Sequence, residues 1–246
     1  MLKKSIPNAL TLMNLACGVL GIIAAFQEAW PLTFVFFLTA LGLDFLDGAA
    51  ARALKAQSEM GKQLDSLSDM VSFGVLPGVV MVLTIAQYIP NWHLSALAPS
   101  SELSHFLPLV ALLIPMSTAW RLGKFNILDT NAYFLGLPSP GNALLVMSVP
   151  MIFRSDKSPE ALLSFLGQAE VLALFCVLSA FLLNAPIRLF TLKFKGGSFQ
   201  DNIVPILFLL ASVVLLLTMG YLGIPLVIAL YILMSLLGMP PKESNA

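Results

Sequence analysis

Four aspartates, Asp44, Asp47, Asp65 and Asp69, stand in the stretch DFLDGAAARALKAQSEMGKQLDSLSD (residues 44–69), between runs that are otherwise apolar. They are spaced i, i+3 and i, i+4, so on helices each pair shares one face, a single turn apart. Two carboxylates 4 Å apart repel by roughly 4 kcal/mol at an effective dielectric of about 20. One Asp at the centre of a membrane helix costs roughly 2.5 to 3.5 kcal/mol on insertion scales. A cation relieves both penalties. No Cys or His falls in the stretch, and hard oxygen donors select Mg²⁺, Mn²⁺ or Ca²⁺ over zinc. Mg²⁺ in particular shares its coordination with substrate phosphate. The interleaved residues suit that ligand: Gly48 and the Ala49–Ala51 run lower the wall beside the site, and Arg52 offers a planar cation to phosphate oxygens. Gly61 allows a tight turn before the second helix. Close helix packing by small residues accounts equally for Ala49 and Ala50.

The elements that must hold these carboxylates are membrane helices. The 246 residues are 58% hydrophobic and only 11% charged, with a mean hydropathy of +0.90, far more apolar than an average soluble domain. Apolar runs at about 8 to 27, 30 to 53, 65 to 87, 105 to 124, 140 to 153, 165 to 185, 202 to 219 and 222 to 238 predict an all-α, polytopic bundle of eight helices in one domain, 1–246. Removing the short fifth run together with the sixth leaves six, with the same parity. The N-terminal run is too long for a cleaved leader and reads as the first spanning helix. With both termini on the cytoplasmic side, eleven of the 13 basic residues fall there, and only Arg154 and Lys157 lie opposite. The connection QYIPNWHLSALAPSSEL (residues 87–103) has no Lys or Arg and belongs outside. Trp92 and Tyr88 suit an interface there, and His93 and His105 read as solvated groups rather than metal ligands. Cys17 and Cys176 lie in apolar runs and read as buried thiols, not a disulfide.

Residues 44–69 match without gaps the pattern DxxDGxxAR, eight residues, then GxxxDxxxD, and so resemble the CDP-alcohol phosphotransferase family. The resemblance implies an integral membrane enzyme with a cytoplasm-facing site of two Mg²⁺ or Mn²⁺ ions, where an alcohol displaces CMP from a CDP-linked lipid. It implies that Asp44, Asp47 and Asp65 are metal ligands. Asp69 would be the general base, also within reach of a metal. Gly48, Ala51, Arg52 and Gly61 would line the nucleotide and diphosphate pocket, and a homodimer is implied as well. Unaided, the residues suit the same chemistry, a carboxylate taking the proton of an incoming hydroxyl beside cations that neutralise phosphate oxygens.

The flanks bear on the acceptor. IPNALTLMNLACG, LDSLSDMVSFGVLP, WRLGKFN and YFLGLPSP resemble the branch of that family in which L-serine accepts the phosphatidyl group of CDP-diacylglycerol. Relatives that use glycerol phosphate commonly carry Arg where this chain has Asn14. In WRLGKFN, Gly123 and Lys124 replace the usual Ala and Arg, while Arg121 and Asn126 are retained. Arg121, Asn126 and Asn14 are therefore the expected acceptor-binding residues, with Arg121 supplying the cation for a carboxylate. Lys124 reads as a positive-inside anchor. Asn8, Thr11 and Asn14, at i, i+3 and i+6, form a polar stripe, of which Asn8 and Thr11 would face the nucleotide; hydrogen bonding between helices explains the same stripe. Pro138 and Pro140 break the chain before the fifth run. Lys193 and Lys195 would attract anionic headgroups. Glycerol 3-phosphate and inositol remain alternative acceptors, and membrane lipids are the expected surroundings, with no nucleic-acid partner. The competing class is a cation transporter, which would continue the polar residues across several helices toward the outer face.

Overall fold

The computed structural model describes residues 2–96, 102–127, 136–187, 189 and 203–237. Lys193 and Lys195 lie outside them. Regular structure among the described residues is entirely helical: α1 (Leu2–Phe26), α2 (Trp30–Ala53), α3 (Glu59–Ala86), α4 (Leu103–Ile127), α5 (Ser139–Ile152), α6 (Glu160–Leu166), α7 (Ala169–Asn184), α8 (Ile203–Met219) and α9 (Gly223–Leu236). By length and apolarity α1 to α4 can each cross a membrane. Helices α6 and α7 meet at a 78° bend. Residues Pro205–Leu236 are continuously apolar but fold back as a hairpin. Gly220 has φ +58°, a Cβ on Gly223 would meet the Leu215 carbonyl at 2.6 Å, and the rings of Phe208 and Tyr231 lie 5.7 Å apart.

The runs expected from the sequence correspond to helices, but the first and third begin six residues earlier than expected and the sixth is broken between α6 and α7. The third helix begins at Glu59, six residues before the expected 65, because the Ser58 side chain accepts the Gly61 N–H at 3.1 Å and caps it. Gly61 is therefore inside the first turn of α3, not in the reversal before it. The reversal lies at Leu54–Ser58. There Lys55 takes φ +50°, while the Ala56 N–H reaches the Ala51 carbonyl and the Lys55 N–H that of Arg52, a Schellman closure of α2. α1 ends the same way, with Glu28 at φ +56° and the Ala29 N–H on the Ala24 carbonyl.

α3 is the central helix, with 56% of its most apolar window buried against 22–33% for α1, α2 and α4. Close approach is possible because glycines face its neighbours. A Cβ on Gly18 of α1 would lie 2.5 Å from Ser72 Oγ, and one on Gly78 of α3 would lie 2.7 Å from Pro115 of α4. Around α3, Trp30, Phe34, Phe37, Phe73, Leu76, Met147 and Ile228 form one apolar cluster. Met81, Ile85, Ile114, Val146, Leu172 and Cys176 form a second. Large apolar side chains such as Phe45, Trp120, Phe181 and Leu217 remain exposed, at 63–73%, as expected where lipid rather than water covers the surface. Cys17 and Cys176 are both free thiols; Cys176 is buried as expected, whereas Cys17 on α1 is only half-buried.

Candidate functional site

The aspartates gather at the bundle end formed by the start of α1, the end of α2 and the start of α3. Oxygens of Asp44, Asp47 and Asp65 all lie within 4.8 Å of one another, the only such group of acidic, His or Cys side chains among the described residues. At that separation and an effective dielectric of about 20, each ionised pair repels by roughly 3.5 kcal/mol. The i, i+3 spacing on α2 and the i, i+4 spacing on α3 put each pair on one face of its helix, and the fold turns those two faces toward each other. Asp69, one turn beyond Asp65, is within hydrogen-bonding reach of Asp44, and its Oδ1 is buried with no partner. Immediately after Asp69 the helix passes through a π-helical turn, Met70–Val75. Such turns commonly mark functional positions, because they re-aim the side chains before them relative to those after.

A cleft of about 640 Å³ opens over the three clustered carboxylates and is lined by Asn8, Thr11, Asp44, Asp47, Gly48, Ala51, Arg52, Gly61 and Asp65, among others. Every residue expected to hold the nucleotide or diphosphate is therefore on one wall system. Thr11 is buried and donates its hydroxyl proton to Asp47 Oδ2 at 2.6 Å, which aims a carboxylate that is itself 5% exposed. A Cβ on Gly61 would lie 3.3 Å from Asn8 Oδ1 and 3.2 Å from Ser58 Oγ, so glycine lets the first turn of α3 close onto α1. At Gly48 the nearest group to an added Cβ is the Arg52 guanidinium, at 3.4 Å; the space in front of Gly48 belongs to the cleft.

The expected acceptor residues are placed differently. Neither Asp69 nor Arg121 lines the cleft, but Asp69 adjoins the carboxylate cluster through Asp44 and Arg121 does not. Arg121 is buried, donates to the Leu183 carbonyl at 2.7 Å, and its guanidinium sits over the Phe125 ring at 4.8 Å. Asn126 engages Ser66, the neighbour of Asp65, through its side-chain amide. Asn14 is fully buried with neither amide atom partnered, and its backbone carbonyl accepts the Ser72 hydroxyl at 3.2 Å. Three further polar cleft residues, Gln57, Ser58 and Lys62, escaped the sequence reading. Ser58 carried a usable signal, since Ser ahead of Glu59 opens a helix. His93 and His105 lie away from the carboxylates: His93 Nδ1 lies 2.7 Å from the Asn91 carbonyl, the His105 carbonyl accepts the Trp92 indole N–H, and His105 lines a separate cavity with Glu102 and Glu170.

The donor set suits a hard divalent cation: three carboxylates converge, a fourth carries an orphaned oxygen, and no thiol or imidazole lines the cleft.

Comparison with known proteins agrees with this geometry. The model of the family described as CDP-alcohol phosphatidyltransferase matches residues 4–192. Similar curated proteins are the CDP-diacylglycerol--serine O-phosphatidyltransferases of Bacillus subtilis, Mycobacterium leprae and Helicobacter pylori. The first is 33% identical over 150 residues, 58% of this chain and 75% of the relative. The second is 31% identical over 153 residues, 58% of this chain and 46% of the relative. The third is 28% identical over 175 residues, 68% of each. The chain thus spans about half the length of the mycobacterial relatives it matches.

Proposed function

Because the chain belongs to the CDP-alcohol phosphatidyltransferase family, we propose that it transfers the phosphatidyl group of CDP-diacylglycerol to the hydroxyl of L-serine and releases CMP. The observation that carries this reading is the convergence of Asp44, Asp47 and Asp65 within 4.8 Å at the floor of a cleft that also holds Arg52. Asp44, Asp47 and Asp65, whose oxygens converge, would hold Mg²⁺ or Mn²⁺. Bound there, such ions neutralise the diphosphate oxygens and stabilise the departing phosphate of CMP. Arg52 donates to diphosphate oxygens from the cleft wall. Asn8, Thr11, Gly48, Ala51 and Gly61 form the nucleotide side.

Asp69 accepts the proton of the serine hydroxyl as its oxygen bonds to the phosphatidyl phosphorus. The bond from that phosphorus to the CMP oxygen breaks, and its electron pair leaves with CMP. No covalent enzyme intermediate is needed. The cleft lies at the cytoplasmic end of eight crossings with both termini inside, where a soluble amino acid and a lipid-linked nucleotide meet. The basic residues at that end support the orientation.

Purified protein in detergent, given CDP-diacylglycerol, Mn²⁺ and each acceptor in turn, is expected to release CMP with serine. Release with glycerol 3-phosphate or inositol alone overturns the acceptor. Asp69→Asn is expected to retain CDP-lipid and metal binding and to lose turnover; loss of metal binding in that variant would make Asp69 chiefly a ligand. A cation transporter predicts no thermal stabilisation by CDP in the presence of Mg²⁺, whereas this reading predicts a clear one.

A further inference from the structure

The first turns of α3 carry Asp65 but have little apolar packing to hold them: in Glu59–Asp69 only Ser68 is buried. Three polar ties do that work instead. Ser58 caps the helix start, and Ser68 donates its hydroxyl to the Thr11 carbonyl of α1 at 3.0 Å. The third tie comes from the far side. The Asn126 amide, in the last turn of α4, donates to Ser66 Oγ at 3.0 Å, while Ser66 Oγ stands 3.2 Å from Asn126 Oδ1. Lys62, one turn earlier on the same face, points its ammonium at the Asn126 backbone carbonyl, 3.5 Å away.

Ser66 directly follows Asp65, so its side chain leaves the helix about 100° around from the carboxylate. Asn126 therefore grips the flank of the turn whose next face supplies Asp65, and α1 grips it from the Ser68 side. We propose that Asn126 is a positioning residue that acts through Ser66 to hold the Asp65 turn against Asp44 and Asp47, and that it does not itself contact the acceptor. The proposal deepens the metal-site reading above and rests on it.

The amide of Asn126 is engaged in a paired contact with Ser66, and Asn126 does not line the cleft. Without the tie, the Ser68 bond to α1 and the Lys62 contact with the Asn126 backbone carbonyl remain to set the spacing between Asp65 and the α2 carboxylates, with Ser58 capping the helix start. Partners that orient a ligand from behind typically account for 10- to 100-fold in metal affinity.

The test is a Mn²⁺ titration of the full-length protein in detergent, read by the loss of the free-ion paramagnetic resonance signal, on Ser66→Ala, Asn126→Ala and the double variant. Each single variant is expected to bind Mn²⁺ on the order of tenfold more weakly, and the double no more weakly than either single, because one tie is removed in all three. The half-saturating serine concentration at saturating Mn²⁺ stays at the wild-type value. Ser66→Ala introduces the best helix former at a helical position, so it supplies the result if Asn126→Ala does not fold. The swap Ser66→Asn with Asn126→Ser keeps a donor and an acceptor on facing positions and is expected to recover part of the lost affinity. Wild-type Mn²⁺ binding in both single variants overturns the proposal, as do losses that multiply in the double variant. A raised serine requirement with unchanged Mn²⁺ binding also overturns it and makes Asn126 an acceptor contact. CMP release by the wild-type protein is a separate arm: its failure with every acceptor removes the proposed function while leaving the Mn²⁺ comparison to decide the positioning role.

Discussion

Thr11→Val isolates one hydrogen bond at the site without changing the shape of its surroundings. Thr11 and Asp47 are 4% and 5% exposed, and the hydroxyl donates to Asp47 Oδ2 at 2.6 Å. Valine is nearly isosteric, so the contact between α1 and α2 is retained while the donor is lost. The Pro7 carbonyl, 3.0 Å from the same hydroxyl, loses only a secondary contact within α1. A hydrogen bond to a charged group contributes about 1.5 to 3 kcal/mol, which corresponds to roughly 10- to 150-fold in an equilibrium or rate constant. That interval is an upper range, because part of the carboxylate's stabilisation passes to the cation once bound. The expected outcome is a rise on the order of tenfold in the Mn²⁺ concentration that half-saturates CMP release, with Thr11→Ser close to wild type because it keeps the hydroxyl. Both are measured on detergent-solubilised protein with CDP-diacylglycerol and serine. If Thr11→Val and Thr11→Ser behave alike, Asp47 is aimed by something other than Thr11, and the reasoning fails.

Two further outcomes test the frame around the site. Gly18→Ala would place a Cβ 2.5 Å from Ser72 Oγ and 3.1 Å from Ser72 Cα; overpacking of this kind costs about 1 to 3 kcal/mol, or about 2 to 12 °C in the unfolding midpoint. Adding Ser72→Ala removes the shortest contact and is expected to restore part of that loss in a thermal unfolding scan. Arg121→Met removes the bond to Leu183 and the stacking on Phe125 and is expected to lower thermal stability while leaving the half-saturating serine concentration at the wild-type value. A serine requirement that rises several-fold in Arg121→Met would restore Arg121 to acceptor recognition.

The fold class and the heart of the site were legible in the chain because both depend on local pattern. Apolar runs long enough to cross a bilayer admit only helices, and the expected boundaries of α2, α4 and α5 lie close to those observed. The carboxylate spacing on two consecutive helices forces Asp44 and Asp47 onto one face and Asp65 and Asp69 onto another; the observed cluster follows once those helices pack. The start of α3 was missed because a side-chain cap, Ser58 onto Gly61, extends the helix into a polar stretch with no apolar periodicity. The hairpin at Gly220 was legible only as two neighbouring apolar runs, since a tight reversal inside apolar sequence has no polar loop to announce it.

Residue types at fixed spacing therefore determined the character of the site: four carboxylates, a guanidinium and small neighbours in 26 residues offer oxygen donors of the kind that suit a cation, beside small side chains. Which polar residues outside that stretch serve it was decided by tertiary packing. Asn126 lies 60 residues from Ser66 and Thr11 36 residues from Asp47, and no periodicity links positions on different helices. Arg121, the best-placed cation by sequence, is turned instead to a carbonyl of α7. The physical reason is that a side chain's direction is fixed by its own helix, but what it meets depends on how neighbouring helices are rotated against it. In this bundle that rotation is set where glycines at positions 18 and 78 let α1 and α4 close onto α3.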